Sequence, residues 1–481
     1  MSNSFDDIDE KAQPSVEVYA TSLCINPGEE RRLVCKLDWL LLPLFTVICE
    51  ELAHPRDIGS WLLTPRVGLE KDLGLVGYDY HIGLTVFYVF YIISEIPSNL
   101  ILKRIGSIWL AILITSFGAV SIGSAFMESF GGLMATRVIL GIAEGGTLYY
   151  RRNELVLRIG IFFGLSPTIA GAFGGLLASG LLSIPDIGVV TSWRKIFLVE
   201  GIITAGFGLL CFLIIPDDPQ HSRMLSAEER AIALARIEAD QPGAKGGGRE
   251  KTTVQLVLRA FNVNTIICSL CYLMINISFQ GLSLFMPTVV ATLGHFTTVE
   301  SQLRTVPPYL VGAAWVLMNS YHSYRMKQRA TPLVLSVLLI VMGYAIFIGT
   351  QNSHARYGAC FLAIAGGSPS VPMLMSWATD NAAPDTVRAV TTALVPGIGA
   401  LGSVIAVWTY LPTDAPEYRK GNSLNLATSC TTCILIVVLA LYVRYENGKR
   451  ERGERDYRLD GKTAEEIEQL GYRHPAFRYH I

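Results

Sequence analysis

Two ionisable residues interrupt an apolar stretch of the sequence that otherwise carries no charge. Arg137 and Glu144 stand seven positions apart, with Gly141 between them. A helix would place both on one face, two turns apart. A carboxylate near an arginine in a low-dielectric setting could carry a proton or form a gating ion pair, because its charge depends on local exposure. The same two residues could also form a static pair that only fixes helix packing.

Polar side chains occur in two further apolar stretches. Asn276 and Gln280 are one helical turn apart, so they could contact a polar ligand from the interior of a bundle or bond a neighbouring helix. Glu95 precedes the basic pair Lys103 and Arg104. We interpret Glu95 as a partner of that pair at a cytoplasmic gate, with a substrate or proton role as the alternative.

Long apolar segments must position these residues. Of 481 residues, 51% are hydrophobic and only 16% are charged, which excludes an ordinary soluble domain. A helix needs about 20 apolar residues to cross the hydrocarbon. Eleven segments qualify: His81–Leu102, Ile108–Met127, Gly131–Tyr150, Leu155–Ile184, Ile196–Ile215, Thr265–Leu293, Val306–Tyr321, Pro332–Thr350, Tyr357–Trp377, Val387–Leu411 and Leu424–Tyr442. A first segment, Leu37–Cys49, is too short for a clean crossing, so about twelve spans are predicted, the first of them atypical.

The segments divide into two groups of six around a polar loop. We predict an all-α membrane protein with an amino-terminal tail (1–36), a six-helix bundle (37–215), a central loop (216–260), a second six-helix bundle (261–444) and a carboxyl-terminal tail (445–481). The loop is predicted to contain an amphipathic helix, Ser226–Asp240, opened by the capping-box pattern of Ser226 and Glu229. Glycine pairs and basic loops recur at equivalent places in the two groups, as in transporters built from repeats.

The distribution of lysine and arginine predicts the orientation. Most of these residues fall in the two tails, the central loop and the short loops on the same side, including Lys103 and Arg104 in one group and Arg325 in the other. The positive-inside rule therefore places both termini in the cytoplasm, with Arg325 joining the cytoplasmic gate. We expect a multi-pass protein of the plasma membrane, active as a monomer.

Motifs for enzyme chemistry are missing from suitable contexts. The sequence shows no Walker motif, no nucleophile constellation and no metal-ligand pattern, so no cofactor, metal or nucleic-acid partner is predicted. Gly397–Gly402 matches G-x-G-x-x-G, but it lies in an apolar run where glycines serve close helix packing. The pairs Cys268/Cys271 and Cys430/Cys433 also lie in apolar runs and are interpreted as packing residues.

Several strings together resemble the allantoate, pantothenate and nicotinate permease branch of the fungal major facilitator superfamily, the anion:cation symporters. These strings are Lys36–Trp39, Gly68–Leu73, Glu95–Asn99 with Leu102–Arg104, Arg137 with Gly141 and Glu144, Gly281–Thr288, Pro307–Tyr309, Ser376–Trp377 with Arg388, and His474–Tyr479. The resemblance implies the major facilitator fold, a central cavity, alternating access and proton-coupled uptake of small organic anions or carboxylate vitamins.

Two places depart from the pattern of that branch. His54–Gly59 replaces its usual string after a truncated first segment, and the fourth segment ends early at Tyr149–Arg152. Four readings therefore stay open: a proton-coupled uptake carrier, an exporter of a fungal metabolite, a nutrient sensor, and a non-transporting remnant.

Overall fold

A computed structural model describes most of the chain beyond residue 68. The described residues are 69–106, 108–144, 155–186, 188, 190, 192–214, 226, 228–230, 254–294, 296–463, 466–467 and 470–481. The predicted first segment, Leu37–Cys49, lies outside them, as do residues 145–150 of the fourth segment and most of the predicted helix Ser226–Asp240.

In the described part, the regular structure is helical. The α-helices are α1 (Leu69–Asp72), α2 (Asp79–Ile105), α3 (Ile108–Ser124), α4 (Phe130–Glu144), α5 (Leu155–Ser183), α6 (Ser192–Ile214), α7 (Val254–Arg259), α8 (Val263–Thr292), α9 (Thr298–Leu303), α10 (Val306–Met326), α11 (Ala330–Gly349), α12 (Ser353–Asp380), α13 (Asp385–Ala406) and α14 (Arg419–Glu451). Short 3₁₀ turns occupy Pro412–Asp414, Asp456–Arg458 and Gly471–Arg473.

The long helices follow the predicted segments in order. Six of them, α6, α8, α11, α12, α13 and α14, combine the length and hydropathy needed to cross a membrane. Three shorter apolar stretches lie in α3, α4 and the second part of α5. With α2 and α10, these make eleven long helices among the described residues, which confirms the predicted all-helical architecture.

Glycines bring paired helices into close contact within each half. A Cβ added at Gly118 of α3 would lie 2.3 Å from the backbone nitrogen of Ala205 in α6. In the other half, a Cβ at Gly366 of α12 would lie 2.3 Å from the backbone oxygen of Ser336 in α11. Small residues permit such approaches where lipid offers no hydrophobic drive for association.

The glycine string in α13 packs in the same way. A Cβ at Gly402 would lie 2.3 Å from the backbone oxygen of Leu273, and a Cβ at Gly399 would overlap the ring of Tyr272, both in α8. Gly397, in the same string, has nothing within 4 Å of that position. The string therefore serves the α8–α13 contact, as its apolar context indicates.

Two alanine substitutions in this string test the packing. Gly402→Ala should lower the melting temperature of the purified protein, because α13 must move away from the Leu273 carbonyl; a loss of about 1–3 kcal/mol is typical of overpacking. Gly397→Ala should leave the melting temperature unchanged or slightly raise it, since alanine is the better helix former. Equal melting temperatures for the two variants would contradict the packing described.

The two halves meet at one end of the bundle, where α2 begins and α8 ends, and we call this the closed end. Here α5 packs against α10 and α12, and α2 packs against α13. A Cβ at Gly171 of α5 would lie 2.7 Å from the ring of Tyr309 in α10. The Tyr309 hydroxyl in turn forms a 2.8 Å hydrogen bond with Ser283 of α8. Gly171 of α5 therefore leaves the space that the ring of Tyr309, from the opposite half, occupies.

Residues 470–481, which we call the strap, lie across the opposite end of the second half. The Tyr472 amide donates to the Ala383 carbonyl at 3.0 Å, between α12 and α13. Asn381 and His480 exchange two hydrogen bonds, of 3.0 and 2.8 Å. Asn447 of α14 does the same with Tyr479, at 2.9 Å in each direction. The strap therefore joins the ends of three helices.

Arg450 of α14 anchors the strap. It is 4% exposed, and its guanidinium donates to the carbonyl oxygens of Phe477 at 2.7 Å and Tyr472 at 3.0 Å. Glu446, one turn earlier, lies 3.5 Å from Arg450 and also binds Arg455 at 2.7 Å. Burial raises the pKa of Tyr479 to about 12, so its phenol stays neutral. Because these groups satisfy one another, the strap can be buried without leaving charges unpaired.

Candidate functional site

Arg137 occupies the middle of α4, where the apolar sequence predicts a spanning helix. The side chain is buried, with 3% of its surface exposed. It lies close enough to Tyr80 and Tyr88 of α2 to interact electrostatically with both phenols. Gly141, one turn on, allows this approach, since a Cβ there would lie 2.5 Å from the Phe87 carbonyl. The arginine therefore faces α2 in the interior of the first half.

Glu144, the predicted partner of Arg137, is the last residue of α4. Its backbone lies two helical turns from Arg137, as the spacing predicts, whereas its side chain lies outside the described part. The pairing of these two side chains thus stays a prediction.

Gln280 joins the two halves. Its amide nitrogen donates to the Tyr88 hydroxyl at 3.1 Å, from α8 of the second half to α2 of the first. Tyr88 is nine residues into α2, about 14 Å along the helix axis at 1.5 Å per residue and hence near the middle of a bilayer. Arg137, Tyr88 and Gln280 form a polar path across the interface of the halves, which we call the cross-half path.

Asn276, predicted with Gln280 as a cavity residue, lies against α13. Its amide nitrogen donates to the Gly399 carbonyl at 2.9 Å and to the Ser403 hydroxyl at 3.3 Å. Asn276 was predicted either to contact a polar ligand or to bond a neighbouring helix, and in the structure it bonds a neighbouring helix. The structure therefore brings Gln280, and not Asn276, together with Arg137.

The predicted gate residues are only partly described. Glu95, Lys103 and Arg104 lie in α2, but their side chains are outside the described part, and Arg325 is exposed in the last turn of α10. The ion pair found beside this turn is made by Arg329 and Asp380, with 3.1 Å between Nε and Oδ2. Sequence reasoning missed Asp380. It is the first acidic residue after the end of the predicted tenth segment, Tyr357–Trp377.

Five aromatic and imidazole side chains from both halves meet at the closed end, and we call them the aromatic cluster: Tyr78, His81, Phe285, Trp408 and Tyr410. His81 stacks on Phe285 with ring centroids 5.6 Å apart, and Trp408 lies 5.8 Å from both Tyr78 and His81. The Trp408 indole also donates to Thr85 of α2 at 3.1 Å. The cluster therefore joins the two halves at the closed end.

Within the predicted apolar segments, sequence reasoning missed two buried histidine or acidic residues. His81 is 1% exposed at the start of α2, and Glu200 is 4% exposed within α6. Glu200 carries the same signal as Arg137, a charge within an apolar segment, and could have been found by it. His81 stands at the polar edge of its segment, where a histidine gives no such signal.

Metal or thiol chemistry receives no support in the described part of the chain. Within it, no three histidine, cysteine or acidic side chains come together as metal ligands. Cys268 and Cys271 are buried free thiols, and Cys430 and Cys433 are half-buried free thiols. Their surroundings are those of packing residues in apolar helices.

Comparisons with known proteins show which family this sequence matches. The sequence profile described as Major Facilitator Superfamily matches residues 56–407. The MFS-type transporter efuF of Hormonema carpetanum is 30% identical, with 91% of this chain and 89% of that protein covered. An uncharacterized transporter of Schizosaccharomyces pombe is 29% identical over 93% of this chain and 89% of its own length. The major facilitator-type transporter hxnP of Emericella nidulans is 27% identical over 96% and 95%, respectively.

Solved structures show the same fold. A D-xylose-proton symporter superposes with a TM-score of 0.62 at 13% identity, over 83% of this chain and 97% of that one. A bacterial homolog of the human lysosomal transporter Spinster, inward-facing and occupied, gives 0.58 at 17% identity, over 84% and 96%. At these identities the likeness concerns the fold alone.

Proposed function

We propose, from the premise that this chain belongs to the Major Facilitator Superfamily, that it is a proton-coupled uptake carrier for a small organic anion. Proteins of this superfamily are membrane-embedded transporters of small molecules and not enzymes. The observation that supports the proposal is the cross-half path. It places a buried guanidinium beside a hydrogen bond between the halves, near the middle of the membrane.

An anionic substrate suits this site for electrostatic reasons. A buried guanidinium needs a compensating charge, and a carboxylate meets its fork of donors with two parallel hydrogen bonds. Gln280 adds an amide that can donate to the same ligand from the other half once it leaves Tyr88. A ligand held by both halves favours the arrangement in which they are close, as alternating access requires.

Proton coupling is assigned to Glu144. Two turns from Arg137 on the same helix, its carboxylate would be stabilised by the guanidinium when no anion is bound. A bound substrate competes for that guanidinium, so it favours the protonated carboxyl. Binding of the anion and of a proton are then mutually reinforcing, which is the thermodynamic requirement for symport.

The orientation completes the proposal. With both termini in the cytoplasm of a plasma-membrane protein, the closed end faces outward and the strap faces inward. The aromatic cluster, where the two halves meet, then lies on the outer side of the membrane. We assign the chain to the allantoate, pantothenate and nicotinate permease branch on its sequence strings, and we expect it to act as a monomer.

Uptake measurements test the proposal. In a permease-deficient yeast strain, the chain should accumulate at least one member of a panel of labelled small carboxylates, more at external pH 5 than at pH 7. Glu144→Gln, which removes the titrating group at nearly constant size, should abolish accumulation against a gradient while the protein still reaches the membrane. It should retain counterflow, because exchange of substrate needs no net proton movement.

Three outcomes would contradict the proposal. Accumulation unchanged by Glu144→Gln would remove the residue from coupling. Efflux of a preloaded substrate, driven by an inward proton gradient, would indicate an exporter. A chain that reaches the membrane and transports no carboxylate of the panel would contradict the anion assignment.

A further inference from the structure

His81 is buried between the two halves with its polar atoms unsatisfied. The side chain is 1% exposed, and among the described residues neither ring nitrogen makes a well-formed hydrogen bond, the nearest acceptor being the Tyr410 backbone. Its ring stacks on Phe285 of the second half at 5.6 Å, with 16° between the planes. The Trp408 ring lies 5.8 Å away, and the backbone of Tyr410 is close by. The imidazole therefore lies within the contact that seals the closed end.

No described carboxylate faces this imidazole. At the start of α2, the neighbouring aromatic groups are Tyr78 and Tyr80, at 6.2 and 6.1 Å between ring centroids. On α4, the charged side chain that the structure describes is Arg137, a cation that interacts electrostatically with Tyr80. The carboxylate of Asp79 is used within its own turn, accepting from the Val76 amide at 2.9 Å. On α8, the facing side chain is Phe285, which cannot titrate.

The segment after α13 gives the same result. It contributes Trp408 and Tyr410, and the Tyr410 hydroxyl donates to Asn422 at 3.2 Å. The carboxylates that follow in this segment are engaged elsewhere. Asp414 accepts from the Lys420 amide, and Glu417 binds Arg419 and Gln351.

A positive charge on His81 is therefore disfavoured in the sealed cluster. A buried cation with no facing carboxylate loses its hydration, and the Tyr410 backbone and the aromatic ring faces recover only part of that loss. When the halves separate, water reaches the ring and the imidazole can take up a proton. A proton that binds the separated arrangement better than the sealed one must shift the equilibrium toward separation.

We propose that His81 is a proton-binding site of the closed end, where protonation drives the halves apart at the aromatic cluster. Acidity on that side then prepares the protein to accept substrate from that side. The proposal rests on the proposed alternating-access function, but it requires neither the anionic substrate nor the role of Glu144. A test of conformation without substrate therefore separates the two.

Distances across the closed end provide this test. Val76, which is 75% exposed in the first half, and Leu303, which is 43% exposed in the second, accept spin labels after replacement by cysteine. The background carries serine at the nine native cysteines. Pulsed electron paramagnetic resonance measures the distance between the two labels in lipid nanodiscs. It should resolve a shorter distance from the sealed arrangement and a longer distance from the separated one. Between pH 7.5 and 5.5, the ratio of the longer to the shorter distance should rise about tenfold, because one proton binds the separated state and a free imidazole in water gains its proton over this range.

Two variants of His81 and one matched control complete the design. His81→Phe should hold the short distance at both pH values. His81→Gln keeps a polar side chain that does not titrate, and it should also remove the pH response. It provides the test if His81→Phe does not fold. His354, exposed at the same end of the second half, is the control, and His354→Phe should keep the tenfold change. A pH response that persists in both His81 variants, or that is absent from the parent, overturns the proposal.

Discussion

Replacing Arg450 with methionine should detach the strap and lower the free energy of unfolding by about 3–5 kcal/mol, the loss that follows when one partner of a buried ion pair is removed. The guanidinium is the donor to two strap carbonyls, and it lies 3.5 Å from Glu446, whose side chain is 6% exposed. Methionine fills a similar length but leaves those carbonyls without a donor. Two quantities are measured on the purified protein in detergent: the melting temperature and, on the folded protein, the rate of proteolysis within residues 470–481.

Arg444 provides the control on the same helix. Its side chain is exposed, so Arg444→Met should leave both the melting temperature and the proteolysis rate near the parent values. If Arg450→Met melted and resisted proteolysis like Arg444→Met, the strap would not depend on the buried arginine.

Replacing Arg137 with glutamine should reduce substrate accumulation by at least two orders of magnitude. Glutamine keeps a polar side chain on the face of α4 that approaches Tyr80 and Tyr88, but it supplies no charge for an anion and no field for Glu144. Loss of a charged hydrogen bond to the substrate is worth several kcal/mol in a low-dielectric site. Initial uptake rates, normalised to the amount of protein in the membrane, measure the effect.

Arg194 is the matched comparison for this variant. It begins α6 and donates to the carbonyls of Ala125 and Met127, away from the cross-half path. Arg194→Gln should retain most of the uptake. If Arg137→Gln folded and transported like Arg194→Gln, the buried arginine would have only the static packing role.

Hydropathy predicts the helices well and their ends less well. The twelfth segment was predicted at Leu424–Tyr442, whereas α14 extends over Arg419–Glu451. The apolar run measures the thickness of hydrocarbon, but a helix can continue into water when its polar turns find partners. Here those partners are Glu446, Asn447 and Arg450, which bind the strap and Arg455.

Individual polar residues of the candidate site could be predicted from the sequence, but the hydrogen bonds between them could not. Arg137 and Gln280 were each conspicuous as polar residues in apolar segments. Tyr88 was not, because a tyrosine near a membrane segment is common and its hydroxyl gives no sign of its partner. The hydrogen bond that joins it to Gln280 spans 192 positions, and no local pattern encodes such a contact.

The G-x-G-x-x-G string shows how context decides a motif. Its glycines at 399 and 402 pack against Tyr272 and Leu273, as the apolar run indicated. The loop ion pair shows the limit of the same approach. Arg329 stands in the same basic loop as Arg325, but its partner Asp380 lies 51 positions away, at the end of another helix.

The strap has a consequence for how the protein is made. Its anchors lie on α12, α13 and α14, and all of them precede residues 470–481 along the chain. A ribosome therefore delivers the helices to the membrane before it delivers the segment that fastens them. Until then, Arg450 has a charge and no carbonyls to bind, and Asn381 and Asn447 lack the backbone partners they later hold. The newly inserted second half therefore stays unfastened until residues 470–481 have left the ribosome.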